Sequence, residues 1–207
     1  MSTGFTLIVP LKPPAVGKSR LAAVGPLRER LALAFALDTV AAALGSPEVH
    51  RVLVVCDDAA AGAALAALGA EVVPDAPGGG LNAALAFGAE QAHGWRAALS
   101  ADLPALRERE LTEVLGAARG AGRSFLADAH GVGTTLLAAA PDVPLAPRFG
   151  GPSRIAHRAS GASELTLAAA TVRLDVDTPE DLTAATSLGL GPRTAELLRC
   201  RSLAMPR

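Results

Sequence analysis

The chain has 207 residues, half of them hydrophobic and 19% charged, with a formal net charge of −1. This composition excludes a disordered chain, and the length is sufficient for a full hydrophobic core. The two cysteines cannot build a disulfide framework or a zinc site. The apolar runs are much shorter than the length needed to span a membrane. No basic segment typical of a signal peptide precedes the first apolar run. Near-neutral charge and 3% aromatic residues disfavour a nucleic-acid partner. We therefore expect a cytoplasmic protein without membrane or nucleic-acid partners.

Hydrophobic patterning predicts alternating strands and helices along the chain. Strands are expected over residues 6–11, 51–56, 70–73, 95–101, 124–128, 134–140 and 171–176. Helices are expected over residues 26–44, 81–93 and 108–119. Three further helices are expected: one after an N-cap at Asp57 or Asp58, a short one around His157, and one that begins after Thr178. No linker or repeat interrupts the pattern, so residues 1–207 are predicted to form a single α/β domain. Repeated βα units favour a largely parallel sheet covered on both faces, with ligands beyond the carboxyl ends of its strands.

The loop after the first strand contains both lysines of the chain, Lys12 and Lys18, whereas the other 17 basic residues are arginines. Gly17-Lys18-Ser19 resembles the end of a phosphate-binding P-loop, but Lys12 stands where that motif needs its first glycine. A Walker-type nucleotide site is therefore disfavoured. Lys12, Lys18 and Arg20 are predicted to bind a triphosphate as separate charges, and the alternative is a solvated basic loop.

Carboxylates follow two further predicted strands. Asp102 comes directly after the strand at 95–101, and Asp175 and Asp177 alternate in an extended segment, which puts them on one side of the chain. Mg²⁺ bound with a nucleotide takes one or two carboxylates plus phosphate oxygens, so these residues are candidate ligands. Each could instead cap a helix. Asn82, after the glycine run 78–80, is a candidate nucleotide contact or a helix cap.

Several motifs together carry a family resemblance. Asp102-Leu-Pro and Asp175-Val-Asp-Thr-Pro-Glu-Asp resemble nucleotidyltransferases with a GT-A-like, Rossmann-like sheet. Further motifs lie in residues 9–21, 80–85, 124–136, 147–153 and 156–162. This set, in this order over nearly the whole chain, resembles the CofC/FbiD family, the guanylyltransferases of coenzyme F-420 biosynthesis.

The resemblance implies GTP as the donor, phosphoenolpyruvate or 2-phospho-L-lactate as the acceptor, and pyrophosphate as the leaving product. It places Thr134, Gly150 and Ser153 on the acceptor-binding positions. Arg148 and Arg154 lie nearby in the sequence, and their guanidinium groups can each form two hydrogen bonds to a carboxylate or a phosphate. The Arg-rich, Ala-rich composition suggests a GC-rich genome and favours phosphoenolpyruvate.

The expected reaction is an in-line displacement in which Mg²⁺, Asp102, Lys12 and Lys18 position and stabilise the charges. His130 is expected in a turn, and His157 on the acceptor side as structure or as a phosphate donor. Alternatives are a nucleotidyltransferase that uses CTP or a sugar-phosphate or molybdopterin-type acceptor, and a non-catalytic nucleotide-binding module. The oligomeric state is open, a homodimer included.

Overall fold

A sheet of seven strands forms the centre of the part of the chain that the computed structural model describes, residues 4–11, 27–75 and 78–204. The strands are β1 (Phe5–Leu11), β2 (Val49–Cys56), β3 (Glu71–Val73), β4 (Arg96–Leu99), β5 (Arg123–Ala127), β6 (Thr134–Ala139) and β7 (Ser163–Glu164). The helices are α1 (Arg28–Gly45), α2 (Ala59–Ala66), α3 (Leu81–Glu90), α4 (Glu108–Ala118), α5 (Ser153–Ala159), α6 (Ala170–Arg173), α7 (Pro179–Leu188) and α8 (Pro192–Ala204).

The strand order is β3-β2-β1-β4-β6-β5-β7, and β1 to β4 are parallel to one another. The predicted α/β class with a mostly parallel sheet is confirmed. Strand β6 is an exception to the parallel arrangement: it is antiparallel to both β4 and β5. Only six residues connect β5 to β6, which is too short for a parallel crossover and permits only a hairpin.

Alternating side chains of β1 enter different layers of the core. Phe5, Leu7 and Val9 pack with α1, α2 and α4, whereas Ile8 packs under α3 on the opposite face. Helix α3 approaches the sheet closely at Gly88, where a Cβ atom would lie 2.6 Å from Ile8 Cγ2. Both faces of the sheet are therefore covered, as predicted. Within the described ranges, no helix combines the length and apolar character that crossing a bilayer requires.

The strand predicted over 171–176 is wrong. Residues Ala170–Arg173 form the short helix α6 instead. The Glu110 carboxylate accepts hydrogen bonds from the Thr171 backbone N–H and hydroxyl, at 2.8 and 2.9 Å. Two donors at the start of α6 therefore have an acceptor. This contact from α4 outweighs the strand preference of the β-branched pair Thr171-Val172.

The caps predicted for two helices are confirmed. Asp58 accepts a hydrogen bond from Ala61 N at the start of α2, and Thr178 and Asp181 form a reciprocal capping box on α7. Helix α8 has no counterpart among the predicted elements. It packs on α1 through Leu197 and Leu198.

A buried carboxylate on α1 fixes the start of α8. Asp38 is 4% exposed and accepts hydrogen bonds from Arg193 N at 3.1 Å and from Thr194 N at 2.8 Å. These are orphan donors of the first helical turn, which an anion stabilises through both hydrogen bonding and the helix dipole.

We expect Asp38→Ala to lower the free energy of unfolding by about 2–4 kcal/mol, because it leaves two buried N–H groups without acceptors. Guanidinium chloride denaturation measures the change. Glu113→Ala, which removes an exposed carboxylate paired with Arg109, is the control and is expected to change stability by less than about 0.5 kcal/mol. Equal effects of the two substitutions would contradict the anchoring role of Asp38.

Candidate active site

A cavity of about 750 Å³ opens at the edge of the sheet where β4 and β5 end and β6 begins. Because β6 runs antiparallel to its neighbours, its first residue lies at the same edge as their last residues. Residues from separate segments therefore meet there, among them Asp102, Asp175 and Asp177, which we call the acidic wall, and Thr134, Gly150 and Ser153, which we call the donor-lined wall. The volume is within the range of small-molecule sites.

The acidic wall contains the three carboxylates predicted as metal ligands. Asp175 and Asp177 flank Val176, whose side chain is fully buried in the core beside α1, so both aspartates lie on the opposite, cavity side of the segment. Val176 N donates a hydrogen bond to the carbonyl oxygen of Asp102 at 3.0 Å. This bond holds the segment after α6 beside the residues that follow β4, so the backbone of Asp102 lies next to the segment that contains Asp175 and Asp177.

The donor set suits a cation that arrives with a nucleotide. Mg²⁺ in such sites takes one or two carboxylates and completes its shell with phosphate oxygens and water. Among the residues that the structure describes, no three His, Cys, Asp or Glu side chains group into a metal site of their own. The aspartates that line the cavity could supply the one or two carboxylates that such an ion takes.

Two further cavity aspartates have structural hydrogen bonds. Asp128 accepts bonds from Val132 N and Gly133 N, at 2.9 and 2.7 Å, and thereby shapes the turn between β5 and β6. Burial opposes ionisation of Asp181, but hydrogen bonds from Thr178, His130 and the Asp177 N–H outweigh it and lower the pKa of Asp181. The bond to Asp181 raises the pKa of His130. These two carboxylates shape the cavity wall.

The donor-lined wall consists of residues that can donate hydrogen bonds. Thr134 is the first residue of β6, and Ser153 is the first residue of α5; both are more than 90% buried and reach the cavity. Gly150 has φ of +100°, a conformation that side-chain-bearing residues rarely adopt, and its backbone lies open to the cavity. The structure therefore gathers the three predicted acceptor-binding residues in one place.

His157 lies behind this wall, fully buried on α5. Its Nδ1 is 2.9 Å from Thr134 Oγ1, and its Nε2 accepts a hydrogen bond of 2.9 Å from Arg148 N. Burial, with smaller contributions from the charges of Arg123 and Arg148, lowers the pKa of His157 to about 4. Both ring nitrogens of His157 therefore form hydrogen bonds to other residues of the protein.

The two arginines predicted to bind the acceptor are not among the residues that line this cavity. The Arg154 guanidinium donates to Glu164 Oε1 at 2.8 Å and to the Gly131 carbonyl oxygen at 3.0 Å. Arg148 contributes its backbone N–H to His157. Arg154 therefore braces the turn between β5 and β6 in this structure, and its role in acceptor binding stays a prediction.

Asn82, predicted to contact the nucleotide, connects α3 with the loop before α5. Its Nδ2 donates to the Phe149 carbonyl oxygen at 2.9 Å, and its Oδ1 accepts from Phe149 N at 2.7 Å. The N-cap of α3 is Gly80, at φ +86°, and not Asn82. The paired bonds place the loop that contains Gly150, next to Phe149, against α3.

The loop with Lys12, Lys18 and Arg20 lies outside the described residues, so its triphosphate contacts stay predictions. Asp128 and Asp181 line the cavity but were not predicted from the sequence to do so. A signal for Asp128 was present, since it directly follows a predicted strand and precedes the glycines at 131 and 133. Asp181 was noted only within the capping pattern.

The sheet, with a cavity lined by carboxylates at the edge where β4 and β5 end, is that of the nucleotidyltransferase fold. The chain matches the MobA-like NTP transferase domain over residues 25–174. A nucleotidyl transferase from Methanothermobacter superimposes with a TM-score of 0.64 at 19% identity, covering 96% of this chain and all of the other, which shows the shared fold.

Two curated relatives extend over nearly the whole chain. A phosphoenolpyruvate guanylyltransferase from Streptomyces coelicolor is 60% identical, covering 92% of this chain and 94% of its own. One from Thermomonospora curvata is 56% identical, covering 93% and 88%. The chain belongs to the MobA-like NTP transferase family and, within it, to the phosphoenolpyruvate guanylyltransferases. The resemblance inferred from the motifs is confirmed.

Proposed function

We propose that this protein transfers GMP from GTP to phosphoenolpyruvate, releasing pyrophosphate and forming enolpyruvyl-2-diphospho-5'-guanosine for coenzyme F-420 biosynthesis in the cytoplasm. The observation that carries the proposal is that one cavity is lined both by three aspartates and by three residues able to donate hydrogen bonds. A reaction between a metal-bound triphosphate and a small anion needs both surfaces within reach of each other. The names of the relatives supply the donor and the acceptor.

The donor-lined wall suits an acceptor that carries a phosphate and a carboxylate close together. Thr134 and Ser153 offer hydroxyl groups, and Gly150 offers backbone that a side chain does not shield. Hydrogen bonds to ionised groups are stronger than bonds between neutral groups. The same wall would accept 2-phospho-L-lactate, which has both anionic groups, so this compound is the alternative acceptor.

The chemistry requires no proton abstraction. An oxygen of the acceptor phosphate attacks the α-phosphorus of GTP, a new P–O bond forms, and the bond from the α-phosphorus to the bridging oxygen of pyrophosphate breaks. The phosphate oxygen is already ionised near neutral pH. His157 fits this scheme, since its ring nitrogens are both bonded to the protein and it is not used as a base.

Mg²⁺ is part of the proposal. Asp102, together with Asp177 or Asp175, would hold it against the triphosphate. When bound, the ion would neutralise charge on the triphosphate and stabilise the leaving pyrophosphate. The residues of the chain bind and orient the two anions so that the attacking oxygen and the leaving group are in line.

The test is mass spectrometry of products formed from GTP or CTP with each candidate acceptor, with and without Mg²⁺. A guanylylated phosphoenolpyruvate and an equal amount of pyrophosphate, formed only with Mg²⁺, are expected. Preference for CTP or for a sugar-phosphate acceptor would replace the proposed activity with that of another nucleotidyltransferase. Nucleotide binding without pyrophosphate release would indicate a non-catalytic module.

The lysine loop gives a separate prediction. We expect Lys18→Ala to raise the KM for GTP or to lower kcat, while the KM for the acceptor changes little, because a point charge on the triphosphate is lost. Steady-state kinetics with each substrate varied in turn measures the effect. Arg109→Ala, which removes an exposed cation from α4, is the control. A change confined to the acceptor KM would show that the loop does not bind the triphosphate.

A further inference from the structure

His157 lies directly behind the donor-lined wall, but its ring is buried and not exposed to the cavity. Its ring is fully buried and packs against two aromatic rings, with centroids 5.7 Å from Phe125 and 5.0 Å from Phe149. It does not line the cavity, yet it contacts Thr134, which does. This contact determines in which direction the Thr134 hydroxyl can donate a hydrogen bond.

The direction of the two hydrogen bonds follows from their partners. A backbone N–H can only donate, so Nε2, which faces Arg148 N, must present its lone pair. A neutral imidazole has a single ring proton, which must then be on Nδ1. Since burial and the nearby Arg123 and Arg148 hold the pKa near 4, the ring is neutral at pH 7. Nδ1–H therefore donates to Thr134 Oγ1.

This assignment fixes the polarity of the threonine hydroxyl. With its oxygen accepting from His157, the Thr134 O–H points away from the ring, and Thr134 has no second side-chain hydrogen bond in the described part of the chain. The residue borders the cavity, so its proton is available to a bound group there. In the opposite arrangement the hydroxyl would donate to His157 and present lone pairs to the cavity, which would repel an anion.

We infer that His157 is a positioning residue that holds the Thr134 hydroxyl as a donor to the anionic acceptor. The inference rests on the proposed function, because it takes the acceptor to lie against Thr134. It adds that acceptor binding depends on a residue that does not touch the acceptor. Accepting one hydrogen bond also polarises the hydroxyl and strengthens the bond that it donates.

Two amide variants separate the two nitrogens of His157. The amide nitrogen of His157→Asn lies near the position of Nδ1 and can donate to Thr134. The longer side chain of His157→Gln can place its oxygen near Nε2 and accept from Arg148. We expect His157→Gln to raise the acceptor KM by about 10- to 100-fold, the effect of one hydrogen bond to a charged group, with an unchanged KM for GTP. His157→Asn is expected to recover most of this loss.

A purely structural role predicts another pattern. It would make the two variants equally harmful, or His157→Asn worse because the bond to the Arg148 backbone is lost, and either result would overturn the inference. His93→Gln, at an exposed histidine outside the cavity, is the control. In a Thr134→Val background, His157→Gln is expected to add no further increase in acceptor KM, and additive effects would contradict the coupling.

Nitrogen-15 NMR of the histidine rings in the unmodified protein supplies a test that needs no folded variant. The neutral Nδ1–H tautomer of His157 is expected at pH 7, and the Nε2–H tautomer would overturn the inference. The two proposals fail separately. If the unmodified protein binds neither phosphoenolpyruvate nor 2-phospho-L-lactate, the proposed function is wrong. If it turns over phosphoenolpyruvate and His157→Gln leaves the acceptor KM unchanged, only the positioning role is wrong.

Discussion

Replacement of Asp102 by Asn is expected to lower kcat by at least about 100-fold while leaving the fold intact. The carboxylate lies at the end of β4 on the acidic wall of the cavity. The substitution keeps its size but removes the negative charge proposed to hold Mg²⁺ against the triphosphate. Loss of one transition-state stabilising group of this kind typically costs about 10²- to 10³-fold in kcat.

Pyrophosphate release at saturating substrates measures the effect, and circular dichroism with thermal unfolding checks the fold. Glu113→Gln neutralises an exposed carboxylate on α4 and is the matched control, expected to be indistinguishable from the unmodified protein. Asp175→Asn and Asp177→Asn, measured alongside, identify the partner of Asp102 as the one whose loss is comparably large. Near-normal turnover of Asp102→Asn would remove this residue from the proposed metal site.

The second large effect is expected at Ser153, where Ser153→Ala should raise the acceptor KM by about 10- to 100-fold. The hydroxyl is proposed to donate to an ionised group of the acceptor, and such a bond contributes about 1.5–3 kcal/mol. Because phosphoenolpyruvate and 2-phospho-L-lactate share their phosphate and carboxylate groups, both should be weakened alike. The KM for GTP should stay unchanged.

Comparison of kcat/KM for the two acceptors tests this expectation. The acceptors differ at C2, which is planar and bears a methylene group in phosphoenolpyruvate and is tetrahedral and bears a methyl group in 2-phospho-L-lactate. A difference of that size is discriminated by about 1–3 kcal/mol, so the unmodified protein should favour phosphoenolpyruvate by about 10- to 100-fold. Ser187→Ala, at an exposed hydroxyl on α7 outside the cavity, is the control. A Ser153 variant that lost one acceptor and kept the other would place this residue at C2.

The aspartates of the acidic wall could be located from the sequence because their positions depend on local patterns. Asp102 follows an apolar strand, and alternation around Val176 puts Asp175 and Asp177 on one side. The strand predicted before Asp175 is absent, however, and the hydrogen bond from Val176 N to the Asp102 carbonyl oxygen holds this segment beside the residues that follow β4. The local alternation could be predicted from neighbouring residues, whereas this long-range contact could not.

Several contacts that the sequence did not reveal join distant segments. Asn82 is 67 positions from its partner Phe149, and Thr171 is 61 positions from Glu110. Asparagine near a helix start is equally compatible with a cap, a ligand contact or a bond to a remote loop. Only the folded arrangement selects among these roles. The same limit explains why the β-branched residues at Thr171 and Val172 predicted a strand.

The strand order also determines when the cavity can form. In the chain β5 precedes β6, but in the sheet β6 lies between β4 and β5. β5 can therefore join the sheet only through β6, and pairing of β6 with β4 brings Thr134 to the cavity beside the turn that contains Asp128. A polypeptide interrupted before residue 134 would leave the edge of β4 open, and unpaired edges favour association between chains. Interrupted translation should thus yield an aggregation-prone fragment rather than a partly active enzyme.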